Sequence, residues 1–153
     1  MGAQVACLAW AFREIVGKPG IVFELGLGHG RTFHHLRQHL PDRDIYVFDR
    51  EVDCYPDCTP APARIVLGEL AHTLPQAARR FAGQVVLAHS DLGSYAPEHN
   101  AAMADLVSAH LAPALVQGAL ILSDLPLNVP GTERLPLPAG ASEDRYCIYR
   151  RAA

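Results

Sequence analysis

The 153-residue sequence lacks the features of a membrane, secreted or nucleic-acid-binding protein. No apolar run approaches the roughly 20 residues that a membrane-spanning helix needs, and four cysteines are too few for a disulfide scaffold in a chain of this length. A formal net charge of -3 gives no general attraction to nucleic acid or to an anionic membrane. We therefore expect a cytoplasmic protein with a single domain over residues 1–153 that binds neither nucleic acid nor membrane.

Residues 1–18 are predicted to form a helix that packs on this domain. Val5, Leu8, Phe12, Ile15 and Val16 recur at helical spacing. No basic segment precedes the apolar stretch, so a signal peptide is not favoured. Together with the proline-rich residues 124–142, this apolar helix predicts a homo-oligomer.

Short apolar runs alternate with helical patterns along the rest of the chain. Strands are predicted at 21–23, 45–48, 64–67, 85–88, 120–122 and 146–149, and helices at 32–40, 71–81 and 98–116. This order predicts an α/β fold, Rossmann-like and doubly wound, with a mostly parallel sheet and helices on both faces. Four prolines in residues 124–142 favour a loop there.

A glycine-rich segment follows the first predicted strand. Gly26, Gly28 and Gly30 permit backbone angles and a close approach of ligand that a Cβ would prevent. Thr32 is predicted to cap the next helix, whose free N–H groups favour an anionic part of a ligand. The segment therefore predicts a nucleotide-type site at the first strand-to-helix turn.

Two details of this segment bear on the identity of the ligand. Its spacing is G-x-G-x-G, whereas the dinucleotide fingerprint is G-x-G-x-x-G, so Gly30 comes one residue early. Glu24 stands two residues before Gly26, where a carboxylate would repel a pyrophosphate and attract a ligand with an ammonium and a sulfonium.

The pattern E-x-G-x-G-x-G from Glu24 to Gly30, continuing to Thr32, resembles the first motif of class I S-adenosylmethionine-dependent methyltransferases. The chain looks like a member of the short, poorly characterised bacterial groups in that superfamily, without a substrate domain. The resemblance implies S-adenosyl-L-methionine as the cofactor and a seven-stranded sheet. With six predicted strands, the fold is expected to be trimmed at its C-terminal hairpin unless residues 124–142 hide an edge strand.

The resemblance implies a set of cofactor-binding residues. Glu24 would orient the methionine end, and the turn around it would be formed by Gly26, Leu27, Gly28, His29, Gly30 and Thr32. Asp49, followed by Arg50 at the end of the second strand, could accept both ribose hydroxyl protons, although an exposed turn aspartate is the alternative. Glu69, followed by Leu70, would contact the adenine amino group, or would simply stabilise a helix N-terminus.

His89 and Asp91 follow the fourth predicted strand, next to the first strand, and are the candidate catalytic residues. Either could act as a general base for an acceptor that must lose a proton. Asp91 could instead bind the methionine ammonium or cap a turn. The segment lacks the Asn/Asp-Pro-Pro-aromatic pattern of methylases that act on amino groups of nucleic acid bases, so a small-molecule acceptor is expected.

Cys54 and Cys58 have a C-x3-C spacing that can ligate zinc, but no second pair stands at metal-ligand spacing. We therefore expect reduced thiols and no metal. The leading hypothesis is methyl transfer from S-adenosyl-L-methionine to a small-molecule acceptor. The alternatives are a non-catalytic cofactor-binding or regulatory subunit and an NAD-dependent oxidoreductase.

Overall fold

Seven strands form a single sheet in the computed structural model, which describes residues 2–141 and 146–152. The strands are β1 (Ile21–Leu25), β2 (Ile45–Asp49), β3 (Ile65–Leu67), β4 (Val85–Ser90), β5 (Leu115–Ser123), β6 (Thr132–Leu135) and β7 (Cys147–Arg151). The helices are α1 (Gly2–Glu14), α2 (Arg31–His39), α3 (Leu70–Arg80) and α4 (Pro97–His110). Three short 3-10 turns cover Pro56–Cys58, Pro62–Arg64 and Ala112–Ala114.

The sheet has the order β3-β2-β1-β4-β5-β7-β6, and its first five strands run parallel. β7 lies antiparallel between β5 and β6. The strand order reverses between β1 and β4, which places their carboxyl ends at the position where ligands bind in doubly wound sheets. The predicted α/β class, with a mostly parallel sheet, is confirmed.

Of the two alternatives for the C-terminal hairpin, the hidden edge strand is confirmed and the trimmed hairpin is wrong, because β6 lies inside residues 124–142. Thr132, Glu133 and Arg134 make this strand polar, and it pairs on one side with β7. An edge strand of this kind needs no apolar alternation, and charged residues protect it from pairing with other chains. Residues 142–145, at the end of the predicted loop, lie outside the described residues.

The predicted helix 98–116 is too long at its C-terminal end. α4 ends at His110, Pro113 lies in a 3-10 turn, and β5 begins at Leu115. Proline lacks the N–H that a continuing helix needs, which explains the early end. β5 is therefore longer than the predicted strand 120–122.

Helices cover both faces of the sheet. On one face, α1, the turn that follows it and α2 pack through Leu8, Ile15 and Leu36 against strand residues such as Val22 and Val47. On the other face, α3 and α4 contribute a second cluster of buried residues, which includes Leu74, Ala78, Phe81, Val107 and Leu111. The two cores hold the central strands rigidly, so the loops at their carboxyl ends start from fixed positions.

The predicted N-terminal helix is shorter than residues 1–18, and its buried stripe differs from the prediction. Cys7 and Ala11 are fully buried, whereas Val5 and Val16 are 46% and 76% exposed. Small side chains let α1 approach the sheet closely, so they rather than the valines form the contact. Among the helices of the described chain, none combines the length and the apolar character that crossing a membrane requires.

Candidate active site

A cleft of about 410 Å³ lies at the carboxyl ends of β1 to β4. Its lining contains Gly26, Gly28, Phe48, Asp49, Arg50, Gly68, Glu69, Leu70, Ala71, Asp91, Leu92, Gly93, Ser94, His99 and Met103. Predicted site residues thus come together from the ends of β1, β2, β3 and β4. The other predicted residues do not line this cleft; they are Glu24, Leu27, His29, Gly30, Thr32 and His89.

A larger cleft of about 710 Å³ lies at the opposite edge, around Pro19, Arg43 and Gln84. Arg43 donates hydrogen bonds there to the carbonyl oxygens of Gly20 and Ile15, at 3.0 and 2.8 Å, and so joins two chain segments. Because parallel sheets bind ligands at the carboxyl ends of their strands, we assign the site to the smaller cleft.

The glycine loop uses Gly26 and Gly28 in different ways. A Cβ on Gly26 (φ +95) would lie 2.6 Å from the carbonyl oxygen of Asp91, so this glycine lets the loops after β1 and β4 touch. A Cβ on Gly28 (φ +53) would meet no atom within 4 Å. The loop therefore has open space on its cleft side, as a cradle for a ligand requires.

The predicted cap at Thr32 is wrong. Gly30 (φ +86) is the N-cap of α2 and makes no side-chain cap bond, while Thr32 lies inside the first turn. The Thr32 hydroxyl accepts a hydrogen bond from the Gln4 amide at 3.2 Å, on the side of α1. Direct contact between Thr32 and a cofactor in the cleft is not supported by this position.

Leu27, His29 and Gly30 also point away from the cleft. The Leu27 side chain is buried, and the exposed His29 ring lies 6.0 Å from the Tyr55 ring. Gly30 is buried against the loop that carries Cys54 and Cys58. These residues shape the loop from outside rather than line the cleft.

Asp49 holds the glycine loop through its carboxylate. Oδ2 accepts the backbone N–H groups of Leu27 at 2.8 Å and Gly28 at 3.3 Å. Oδ1 accepts the backbone N–H of Arg50 at 2.6 Å. A carboxylate has about four acceptor positions, so Asp49 retains capacity for a ligand hydroxyl.

Glu69 and Arg50 lie at the mouth of the cleft. The Glu69 carboxylate is 4.0 Å from the Arg50 guanidinium, and the two side chains are 66% and 72% exposed. Glu69 is the N-cap residue of α3 but makes no side-chain cap bond. Its position at the N-terminus of α3 suits the helix dipole, and its exposed carboxylate can also contact a ligand in the cleft.

Asp124, which the sequence analysis missed, holds the loop after β4. It follows β5, and its Oδ1 and Oδ2 accept the backbone N–H groups of Leu92 at 3.2 Å and Gly93 at 2.9 Å. The Asp91 carboxyl, which lines the cleft, lies close enough for its charge to act on Asp124. Burial, with the charge of Asp91, raises the pKa of Asp124 above its ordinary value of 3.8, although the two N–H groups oppose this shift.

The predicted roles of Glu24 and His89 need correction. The two residues are register partners on β1 and β4, and both side chains are fully buried. Glu24 Oε1 lies 2.6 Å from His89 Nδ1, and His89 Nε2 lies 2.9 Å from the Tyr146 hydroxyl. Neither side chain reaches the cleft, so Glu24 cannot contact the methionine end directly and His89 cannot serve as a general base for an acceptor there.

Burial and mutual attraction shift the pKa values of both members of this pair. Burial raises the pKa of Glu24, and His89 opposes that shift. Burial alone would lower the pKa of His89, but the Glu24 carboxylate raises it above its ordinary value. Burial also raises the pKa of Tyr146, which therefore keeps its hydroxyl proton and can donate it to Nε2. We interpret the pair as a structural link between β1 and β4.

Ser94, His99 and Met103 line the cleft and were also missed. His99 and Met103 lie on α4, and Ser94 precedes it. The predicted helix start near residue 98 could have indicated these residues, because a helix that follows the loop after β4 must begin beside the cleft. Within the described residues, no three His, Cys, Asp or Glu side chains are grouped so that they could hold a metal ion.

Comparison with known proteins identifies the family. The family model for S-adenosyl-L-methionine methyltransferases matches residues 1–151. The chain belongs to this family. The methyltransferase therefore uses S-adenosyl-L-methionine. The family does not support the two alternative hypotheses, an NAD-dependent oxidoreductase and a non-catalytic subunit.

The methyltransferase is similar to several solved structures. The S-adenosyl-L-methionine methyl transferase from Silicibacter pomeroyi DSS-3 is 47% identical, with a TM-score of 0.93 over 98% of this chain and 92% of that chain. The 1,6-didemethyltoxoflavin-N1-methyltransferase from Burkholderia thailandensis is 15% identical, with a TM-score of 0.53 over 97% of this chain and 79% of that chain. That second likeness shows the fold alone. No curated protein matches the methyltransferase sequence.

The residues of the cleft fit the cofactor. The open space beside Gly28 gives the backbone cradle, and Asp49 stands at the rim of that space. Asp49, Glu69 and Asp91 supply negative charge, which suits a ligand whose ammonium and sulfonium outweigh its one carboxylate. The same charges would oppose a pyrophosphate.

Proposed function

We propose that the methyltransferase transfers a methyl group to a small-molecule acceptor that enters the cleft beside Asp91. The observation that carries this proposal is the division of the cleft between two aspartates. Asp49 fixes the glycine loop on one side, and Asp124 fixes the loop of Asp91 on the other. A cleft built this way has one wall for the cofactor and one for the acceptor.

The cofactor wall consists of the glycine loop, Asp49 and the mouth residues Glu69 and Leu70. Gly26 and Gly28 would lie against the methionine part, and the Asp49 carboxylate would accept a ribose hydroxyl proton at its remaining acceptor position. Glu69 and Leu70 would contact the base. When bound, the cofactor supplies an electrophilic methyl group on a sulfonium.

The acceptor wall consists of Asp91, Ser94 and His99. Asp91 is exposed, whereas His89 is buried, so Asp91 is the better candidate of the two for a general base. Its carboxylate is held next to Asp124 and can take a proton from an acceptor hydroxyl or amine as the methyl group moves. The walls also bring donor and acceptor together, and this positioning contributes to the rate.

Two observations support a small-molecule acceptor. The described strands all belong to one sheet, and the cleft lining comes from this sheet, its connecting loops and the starts of α3 and α4. A cleft of about 410 Å³ is within the usual range for small-molecule sites. The Burkholderia neighbour was solved with bound 1,6-didemethyltoxoflavin, a small-molecule ligand.

The test is a transfer assay with methyl-labelled S-adenosyl-L-methionine and a panel of small hydroxyl and amine compounds. Wild type should label at least one compound, and Asp91→Asn should lose most of the rate while binding S-adenosylhomocysteine normally. The matched control is Asp105→Asn, on the α4 helix and away from the cleft lining, which should keep the full rate. Labelling of RNA, DNA or protein substrates alone would contradict the small-molecule proposal, and an unchanged rate in Asp91→Asn would contradict its role.

We also propose that the methyltransferase self-associates in the cytoplasm. Val5 on α1 and Val16 in the turn after it are exposed apolar side chains, and the unpaired thiols of the described chain suit a reducing compartment. Light scattering should give a mass above that of one chain, and Val16→Glu should lower it. A monomer mass over the whole concentration range would contradict self-association.

A further inference from the structure

Cys54 and Cys58 lie together against the back of the glycine loop. A Cβ on Gly30 would be 3.1 Å from the Cys54 Cβ and 2.7 Å from the Cys58 Cβ. The two cysteine Cβ atoms are therefore roughly 6 Å apart at most, and a disulfide needs about 3.5–4.5 Å. A small movement of the loop is enough to bring the thiols into bonding distance.

The two thiols are accessible, and the other cysteines are not. Cys54 and Cys58 are partly exposed, whereas Cys7 and Cys147 are 0% and 5% exposed. The segment from Cys54 to Cys58 is short and contains a 3-10 turn at Pro56–Cys58, which returns the chain toward Cys54. No metal-binding group of three or more ligands occurs among the described residues, so the pair is better suited to redox chemistry than to a metal.

We propose that Cys54 and Cys58 form a reversible dithiol–disulfide site behind the glycine loop, oxidised by a small-molecule disulfide. One thiolate attacks a sulfur of that disulfide, and the first thiol of the reagent leaves. The thiolate of the second cysteine then attacks the cysteine sulfur of this mixed disulfide. The intrachain S–S bond forms, and the second thiol of the reagent leaves. The two cysteines lose two electrons and two protons, and the reagent gains them.

Closure of this bond must disturb the glycine loop. The Cys58 carbonyl oxygen already lies 2.6 Å from the Cβ position of Gly30, so the loop has no room on that side. The Cys54 thiol would leave its hydrogen-bond distance of 3.2 Å from the Thr59 hydroxyl. Tyr55, between the cysteines, would carry this movement to His29. The disulfide therefore weakens cofactor binding, and this consequence rests on the proposed cofactor wall.

The first experiment oxidises the full chain with oxidised glutathione and maps its peptides by mass spectrometry. We expect an intrachain bond between Cys54 and Cys58, full reversal by dithiothreitol, and no change at the buried cysteines. Cys54→Ser and Cys58→Ser should instead retain a glutathione adduct on the remaining thiol. A stable adduct on the wild-type chain, a bond between chains, or no reaction would overturn the site.

The second experiment titrates S-adenosylhomocysteine into the reduced and oxidised proteins by calorimetry. Oxidation should raise Kd by about fivefold or more, the lower end of coupling between linked sites. Cys54→Ser treated with the same reagent, then freed of its adduct by gel filtration with a reductant, should bind as reduced wild type does. Equal affinities of the two forms would overturn the coupling. If neither form binds S-adenosylhomocysteine, the proposed cofactor wall is wrong. The peptide map would still show whether Cys54 and Cys58 form a disulfide.

Discussion

Asp49 and Asp124 stand at equivalent places in the two halves of the sheet. Asp49 ends β2 and accepts two consecutive backbone N–H groups from the loop after β1. Asp124 follows β5 and accepts two consecutive N–H groups from the loop after β4. β1 and β4 are neighbours at the centre, so the two held loops form facing sides of one cleft.

The two aspartates differ in their surroundings. Asp49 takes a third N–H, from Arg50, and itself lines the cleft. Asp124 lies near a second carboxyl, that of Asp91, and its pKa is raised mainly by burial. The comparison shows how one device, a carboxylate that holds a loop, can give a hydroxyl-binding wall on one side and a proton-accepting wall on the other.

Mutation of the Glu24–His89 pair, which links β1 and β4, should give the largest loss of stability. His89→Leu leaves the Glu24 carboxylate buried without its partner, so we expect a loss of about 3 kcal/mol in the free energy of unfolding. Urea denaturation measures this loss. The double variant Glu24→Leu/His89→Leu removes both polar groups and should be more stable than His89→Leu. If the double variant is the less stable protein, the pair does not act as we describe.

The division of roles predicts a contrast in cofactor affinity. Asp49→Ala frees the glycine loop and removes the ribose acceptor, so Kd for S-adenosylhomocysteine should rise by roughly 30-fold, or about 2 kcal/mol. Asp124→Ala, the matched variant, should change Kd by less than about threefold. Calorimetry checks both. Equal losses in the two variants would remove the distinction between the walls.

Alanine substitutions at Gly26 and Gly28 should differ in their effects on stability and on cofactor affinity. Gly26→Ala places a Cβ against the Asp91 backbone at positive φ, so it should lower the unfolding free energy by more than about 1 kcal/mol. Gly28→Ala also carries the strain of a positive φ but meets no protein atom, so it should lower the unfolding free energy less than Gly26→Ala and mainly weaken cofactor binding. Thermal unfolding and calorimetry on both variants test this. A Gly28→Ala protein that binds the cofactor normally would show that the open space is not the ligand's.

The smallest effect concerns pH. Because the folded-state pKa of Asp124 lies above its ordinary value of 3.8, the folded protein holds that proton more tightly than the unfolded chain does. The resulting stabilisation is fully present below pH 3.8 and is lost as the pH rises through the folded-state pKa. The unfolding free energy of wild type relative to Asp124→Asn should therefore fall with rising pH over that window. A difference that increases with pH would contradict the assignment.

Much of the site could be predicted because it follows the strand ends in order. The glycine loop, Asp49, Glu69 and Asp91 each come directly after an apolar run, and parallel strands bring their carboxyl ends to one edge. The local sequence pattern, an apolar strand followed by glycine or a carboxylate, was enough to predict that these residues lie near the site. Their presence in the cleft follows from the topology rather than from any special motif.

The rest depends on contacts between distant segments. The pairing of Glu24 with His89 follows from the register of β1 and β4, which the sequence pattern does not contain. The N–H groups that Asp124 holds lie about 30 residues earlier in the chain. β6 could be expected only as a hidden edge strand without bounds, since a polar edge strand lacks the apolar alternation that marks a strand.

A crystal structure with bound S-adenosylhomocysteine tests the central claim most directly. The account predicts a ribose hydroxyl on Asp49, the base beside Glu69 and Leu70, and open space for an acceptor between the sulfur and Asp91. A ligand whose ribose lies on the Asp91–Asp124 side, or a ligand in the cleft around Pro19 and Arg43, would contradict it.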